Sequence, residues 1–131
     1  MKITKSEKIG RVPVTIFHLD GRLNLDTAED LRNEARDACE MGVKNLLLDM
    51  EELKSLTSEG LRAIHFIYKL FLEKSNAVDK KGSKDSAGSV IKSTHLKILN
   101  PPANIRQVIN IAGFELFIDV LDDMDQAIAS F

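Results

Sequence analysis

The chain has 131 residues, 44% of them hydrophobic and 29% charged, enough to bury roughly two-thirds of its unfolded surface as one globular domain spanning residues 1–131. Its net charge of −2 provides no general cationic field, so nucleic acid is not an expected partner. Cys39 is the single cysteine and cannot form an internal disulfide, and the charged start MKITKSEKIGRVPVTIF lacks a signal peptide's apolar stretch. A cytoplasmic protein is expected, with no membrane association.

Residues 2–7 read as a short edge strand turning near Gly10 into VPVTIFHLDG, a second strand ended by the Asp20-Gly21 turn signal. Asp26 followed by Glu29 has the form of a capping box. Ala28, Leu31, Ala35 and Ala38 then recur at helical spacing until Gly42. VKNLLLDM reads as a strand buried on both faces of a largely parallel sheet.

The segment SLTSEGLRAI starts the next helix. Leu61 to Leu72 is apolar nearly all round, with a narrow polar stripe of Arg62, His65, Lys69 and Glu73. Such a helix is expected between the sheet and a neighbouring helix; alternatively, Phe66, Leu70 or Phe71 leaves an apolar surface for association, including a homodimer. A mobile polar loop is expected over about residues 75–93, with Lys80, Lys81 and Lys84 available to an acidic partner. HLKIL reads as a strand, Asn100-Pro101-Pro102 as a helix start capped by Asn100, and Ile105, Val108, Ile109 and Ala112 as that helix's apolar face, ending at Gly113. FELFIDV reads as a last strand and Asp122 to Phe131 as a last helix with acidic residues at its positive end. The sum is an α/β fold: a mixed, mainly parallel sheet of four to five strands with about four helices against it.

Few residues point to chemistry. His18, His65 and His95 are scattered without zinc-site spacing, and Cys39 falls on the small-residue face of the first helix. No nucleophile elbow, Walker-type loop or dinucleotide-binding glycine motif occurs, so no catalytic residue, cofactor or metal is expected. At the helix start, Thr57 and Ser58 each have the hydroxyl of a cap or of a phosphate acceptor. Glu59 has the charge either to stabilise the first turn or to pre-load negative charge beside Ser58.

Three strings, LDGRLNLDTAEDLR, NLLLDMEELKSLTSEGLRAI and ILNPPANIRQVINIAGFELFIDVLDDMDQAIAS, resemble in order the STAS domain, the family of bacterial anti-sigma factor antagonists and sulfate-transporter tails. The resemblance covers about residue 12 to the C-terminus except the polar loop. It implies a STAS-like fold and a regulatory module without catalysis that binds a serine-kinase anti-sigma factor or a related partner-switching kinase. By the family's motif, Ser58 is the implied phosphorylation site, with Thr57 the less favoured acceptor, and Gly60 and Leu61 match. Thr57 stands where the family usually has Asp, and Glu59 replaces a small residue. The implied partner-binding residues are Asn24, Thr57, Ser58, Glu59, Gly60 and Arg62. Two alternatives remain: a phosphorylation-independent scaffold or self-assembly module, and a nucleotide- or anion-sensing domain using helix N-termini.

Overall fold

The computed structural model describes residues 1–75 and 92–131, the side chains of 73–75 excepted. Strand β1 (Lys2–Ile9) pairs antiparallel along its length with β2 (Pro13–Leu23), and Gly10 lies in the connection between them. Helix α1 (Leu25–Glu40), β3 (Leu46–Asp49), β4 (Leu53–Leu56) and α2 (Ser58–Ser75) follow. After the undescribed segment come β5 (Leu96–Leu99), α3 (Ala103–Ile111), a 3-10 turn (Phe114–Leu116), β6 (Asp119–Leu121) and α4 (Met124–Ser130). The six-stranded sheet runs β1-β2-β3-β5-β6, with β4 pairing with the far end of β2; every pairing except β1–β2 is parallel.

All four residues of β3, and all four of β5, are buried, as expected for central strands covered on both faces. Alternation divides them between two cores. Leu46, Leu48, Leu96 and Ile98 join Phe17, Leu31, Ile64, Ile67 and Ile105 in the larger one, which takes in buried residues of α1, α2 and α3. Leu47 and Leu99 join Val14, Ile16, Ala127 and Ile128 of the smaller one, under α4. Truncating a fully buried leucine such as Leu48 to Ala would cost about 2–5 kcal/mol.

Four expectations are corrected and one strand is added. Asp20-Gly21 is not a turn: Gly21 has φ +122° inside β2, at a register shift beyond which the strand pairs with β4 instead of β3. Strand β4, built from LKSL, was not anticipated because it is four residues long with an exposed lysine, and only the extended β2 gives it a partner. The α1 cap is Asn24 rather than Asp26, since Asn24 is extended (φ −140°) and its side chain reaches the first turn. Asn100 does not cap α3; it takes a left-handed turn (φ 52°), and α3 starts after Pro102 with no side-chain cap. FELFIDV is a 3-10 turn followed by a three-residue strand, because Phe114 and Phe117 share contacts with His65, which their spacing of three allows only on a helical turn.

Helix α2 lies where a nearly all-apolar helix should. Phe71 is buried, Phe66 and Leu70 pack half-buried against the larger core, and the Arg36 guanidinium of α1 stands 5.4 Å from the Phe66 ring centroid. Arg62, His65 and Lys69 form its exposed stripe. The mobile-loop expectation, with Lys80, Lys81 and Lys84, falls mostly outside the described residues. At its end, Ser93 is ordered: its N–H donates to Phe117 O and its hydroxyl accepts from the N–H groups of His95 and Leu96.

Candidate functional site

Parallel pairing places the ends of β2 and β4 side by side, with Leu23 in register with Leu56. Each strand leads directly into a helix, so α1 and α2 start together at one pole, tied by the Thr57 N–H donating to Leu23 O at 3.1 Å. This juxtaposition brings the Asn24 cap of α1 and the Thr57 cap of α2 to the same end of the sheet.

The two helix starts use their hydroxyl and amide side chains differently. At α1 the Asn24 side-chain oxygen accepts from Asp26 N–H (3.0 Å) and Thr27 N–H (3.3 Å). The Thr27 hydroxyl returns the bond by accepting from Asn24 N–H (3.0 Å), and it donates to Arg22 O (2.7 Å). At α2 Thr57 is the cap: its carbonyl accepts from Leu61 N–H at 2.9 Å and its hydroxyl accepts from Gly60 N–H at a long 3.4 Å. Ser58, the first helical residue, is exposed, and its hydroxyl has no hydrogen-bond partner among the described residues. Glu59 meets Arg62, one turn on, at 3.4 Å. The backbone N–H groups of Ser58 and Glu59 have no partner among the described residues and stand at the positive end of an 18-residue helix.

Gly60 is buried and does not face outward. A Cβ there would come within 2.8 Å of Leu23 O and within 2.7 Å of Leu56 Cδ1, so glycine is what lets α2 start this close to the strand ends. Leu25, unremarked in the sequence, lies beside Asn24 and is 70% exposed. The signal was an apolar residue at the first helical position, off the stripe of Ala28, Leu31, Ala35 and Ala38.

The histidines are not isolated. His65 stacks on Tyr68, His95 Nδ1 is 2.8 Å from Asn45 Oδ1, and His18 lies between Ser6 and Asp49. Cys39 is buried in the larger core. Among the described residues no three His, Cys, Asp or Glu side chains could hold a metal ion, and no helix is long and apolar enough to cross a membrane.

The STAS domain model matches residues 4–78, more than half of the chain, and the chain belongs to the STAS domain family. Structures of anti-sigma factor antagonists share its fold. One from Mycobacterium paratuberculosis is 16% identical, with a TM-score of 0.69 over 98% of this chain and 93% of that one. A candidate antagonist from Thermotoga maritima is 18% identical, with a TM-score of 0.68 over 94% and 90%. The Bacillus cell fate determinant SpoIIAA in its phosphorylated form is 16% identical, with a TM-score of 0.58 over 95% and 96%. No curated protein matches the chain in sequence.

Proposed function

We propose that the chain is an anti-sigma-factor-antagonist-like binding module. It docks a serine-kinase anti-sigma factor, or a related partner-switching kinase, through the pole of Asn24, Thr57, Ser58, Glu59 and Arg62, with the buried Gly60 beneath it, and phosphorylation of Ser58 ends the association. The carrying observation is the division of labour at α2: Thr57 takes the cap, which leaves the exposed Ser58 hydroxyl unengaged beside two unpaired backbone donors. A phosphate there would meet those N–H groups and the helix dipole, so α2 can hold the modified state without unfolding. Phosphorylation adds about −1.5 to −2 charges, and an apolar or acidic partner surface then loses contact through desolvation and repulsion.

Arg62 refines this reading. It pairs with Glu59 and lies four residues after Ser58 on the same helix face, within reach of a phosphate at position 58. Glu59 is already paired in the unmodified protein, a weaker mimic of phosphate than its charge alone suggests. The exposed Leu25 supplies an apolar contact beside the polar pole, whereas α2 itself gives no exposed apolar patch for self-assembly among the described residues.

Capture of a serine-kinase-type protein by the native chain, repeated with Ser58→Asp, tests the proposal. A loss of affinity of at least about tenfold is expected for the variant, or roughly 1.4 kcal/mol. Undiminished binding sinks the charge switch, and native protein carrying no phosphate on Ser58 under several growth conditions sinks the modification. Leu25→Ala should weaken capture by about 1 kcal/mol or more with little change in thermal stability, as an exposed interface anchor does.

A further inference from the structure

Three adjacent strands place one side chain each in a row on the face of the sheet that also carries α4. Ser6 of β1 and His18 of β2 are diagonal neighbours, since Ser6 pairs with Ile16 and Thr4 with His18; His18 is in direct register with Asp49 of β3. Ser6 Oγ is 2.9 Å from His18 Nε2, and His18 Nδ1 is 2.8 Å from Asp49 Oδ2. The other Asp49 oxygen accepts from Glu51 N–H at 3.1 Å, so the carboxylate is held from both sides. Asp49 is largely buried, His18 is 37% exposed in its side chain, and Ser6 is exposed.

These contacts are compatible with one tautomer of the neutral ring. An ionised Asp49 only accepts, so neutral His18 carries its proton on Nδ1, and Nε2 is left to accept from the Ser6 hydroxyl. A hydroxyl on an imidazole base, with the base oriented by a fixed carboxylate, is the arrangement that activates a serine nucleophile.

We infer that Ser6 is a nucleophilic serine, distinct from the Ser58 site, that accepts an acyl group from small activated esters with His18 as its general base. In the transfer, Ser6 Oγ bonds to the acyl carbon and the bond from that carbon to the leaving oxygen breaks. The Ser6 proton passes to His18 Nε2 and from there to the departing alkoxide or to water. His18 and Asp49 end unchanged, with Asp49 acting as a positioning residue. The proposal extends to one acyl transfer onto Ser6, whose tetrahedral oxyanion is solvated by water on the open sheet face. The open sheet face favours a small donor with a good leaving group.

The full chain, incubated with p-nitrophenyl acetate and followed by site-resolved peptide mass spectrometry, tests this with Ser58 as an internal reference: a second exposed serine, with no base bonded to it. General-base assistance is worth about 10²–10⁴, so Ser6 should be acetylated about a hundredfold or more faster than Ser58. A ratio above about tenfold supports the assignment, and one at or below it overturns the assignment without any variant having to fold. His18→Gln, checked for an unchanged melting curve, should bring Ser6 down to the Ser58 rate; a preserved ratio in that folded variant also overturns it. Asp49→Asn should slow Ser6 acetylation about tenfold or more while leaving Ser58 untouched, a site-selective effect that loss of packing alone would not give.

Discussion

The starts of α1 and α2 lie side by side at one end of the sheet, and they close in opposite ways. At α1, Asn24 and Thr27 exchange hydrogen bonds so that Asp26 and Thr27 N–H groups are satisfied within the protein. At α2, one long bond from Gly60 N–H to Thr57 is the only side-chain cap among the described residues, and the first two N–H groups have no partner among them, beside an exposed serine. At α1 only the Leu25 N–H lacks a partner among the described residues, so that start has less to offer a ligand. The α2 start keeps two such donors, which is the ground for proposing the phosphate-dependent switch there and not at α1.

The largest effect expected from breaking this contrast comes at the glycine beneath it. Gly60→Ala gains about 0.5–1 kcal/mol of helix propensity but drives a methyl against Leu23 O and two leucine side chains. Backbone cannot move aside as a side-chain end can, so a net loss of about 1–3 kcal/mol is expected, read as a lower denaturant midpoint. An unchanged or raised midpoint would mean that the two strand ends do not fix the position of α2. Next in size is Asn24→Ala, which removes two accepted bonds and should cost about 1 kcal/mol in the same measurement. Thr57→Ala should cost less, about 0.5 kcal/mol, since its 3.4 Å bond is near the limit of useful geometry. If Thr57→Ala proves the more damaging of the two, the open-versus-closed distinction fails.

The smallest effect separates these caps from the rest of the fold. Both are neutral side chains, so the difference between the Asn24→Ala and Thr57→Ala variants should stay constant as pH is lowered from 7 to about 3. Total stability should not. Burial raises the Asp119 pKa, but hydrogen bonds and charge from Lys92 and Lys97 outweigh it and hold the carboxyl below its ordinary 3.8. A folded value below the unfolded one gives stability that is present at neutral pH and lost as pH falls through 3.8 and below. Acid titration of Lys97→Met should show a shallower loss than the native chain; equal slopes would remove Asp119 from the acid response.

Much of this organisation was legible in the chain. The alternation of strands and helices, the doubly buried β3 and β5, the acidic start of α4 and the placement of Thr57 and Ser58 at a helix start all follow from local periodicity and capping chemistry. The errors have a common source. Strand β4 and the continuation of β2 through Gly21 depend on each other, and neither has enough local signal to be read alone. The Asp26-x-x-Glu29 spacing is a valid capping box in sequence, yet the chain enters α1 two residues earlier because Arg22 O accepts from the Thr27 hydroxyl and fixes the turn. The row Ser6–His18–Asp49 was invisible because its members are separated by 12 and 31 positions and meet only through strand register.

The sequence by itself determined which segments would be buried, roughly where the helices would lie, and which hydroxyls were candidates, because those properties are carried by residues a few positions apart. Tertiary structure decided which hydroxyl is engaged and which is free. That choice rests on pairing β2 with β4, which sets Thr57 against Leu23, buries Gly60 and turns Ser58 outward; contacts of this kind span more than thirty residues and leave no trace in local spacing.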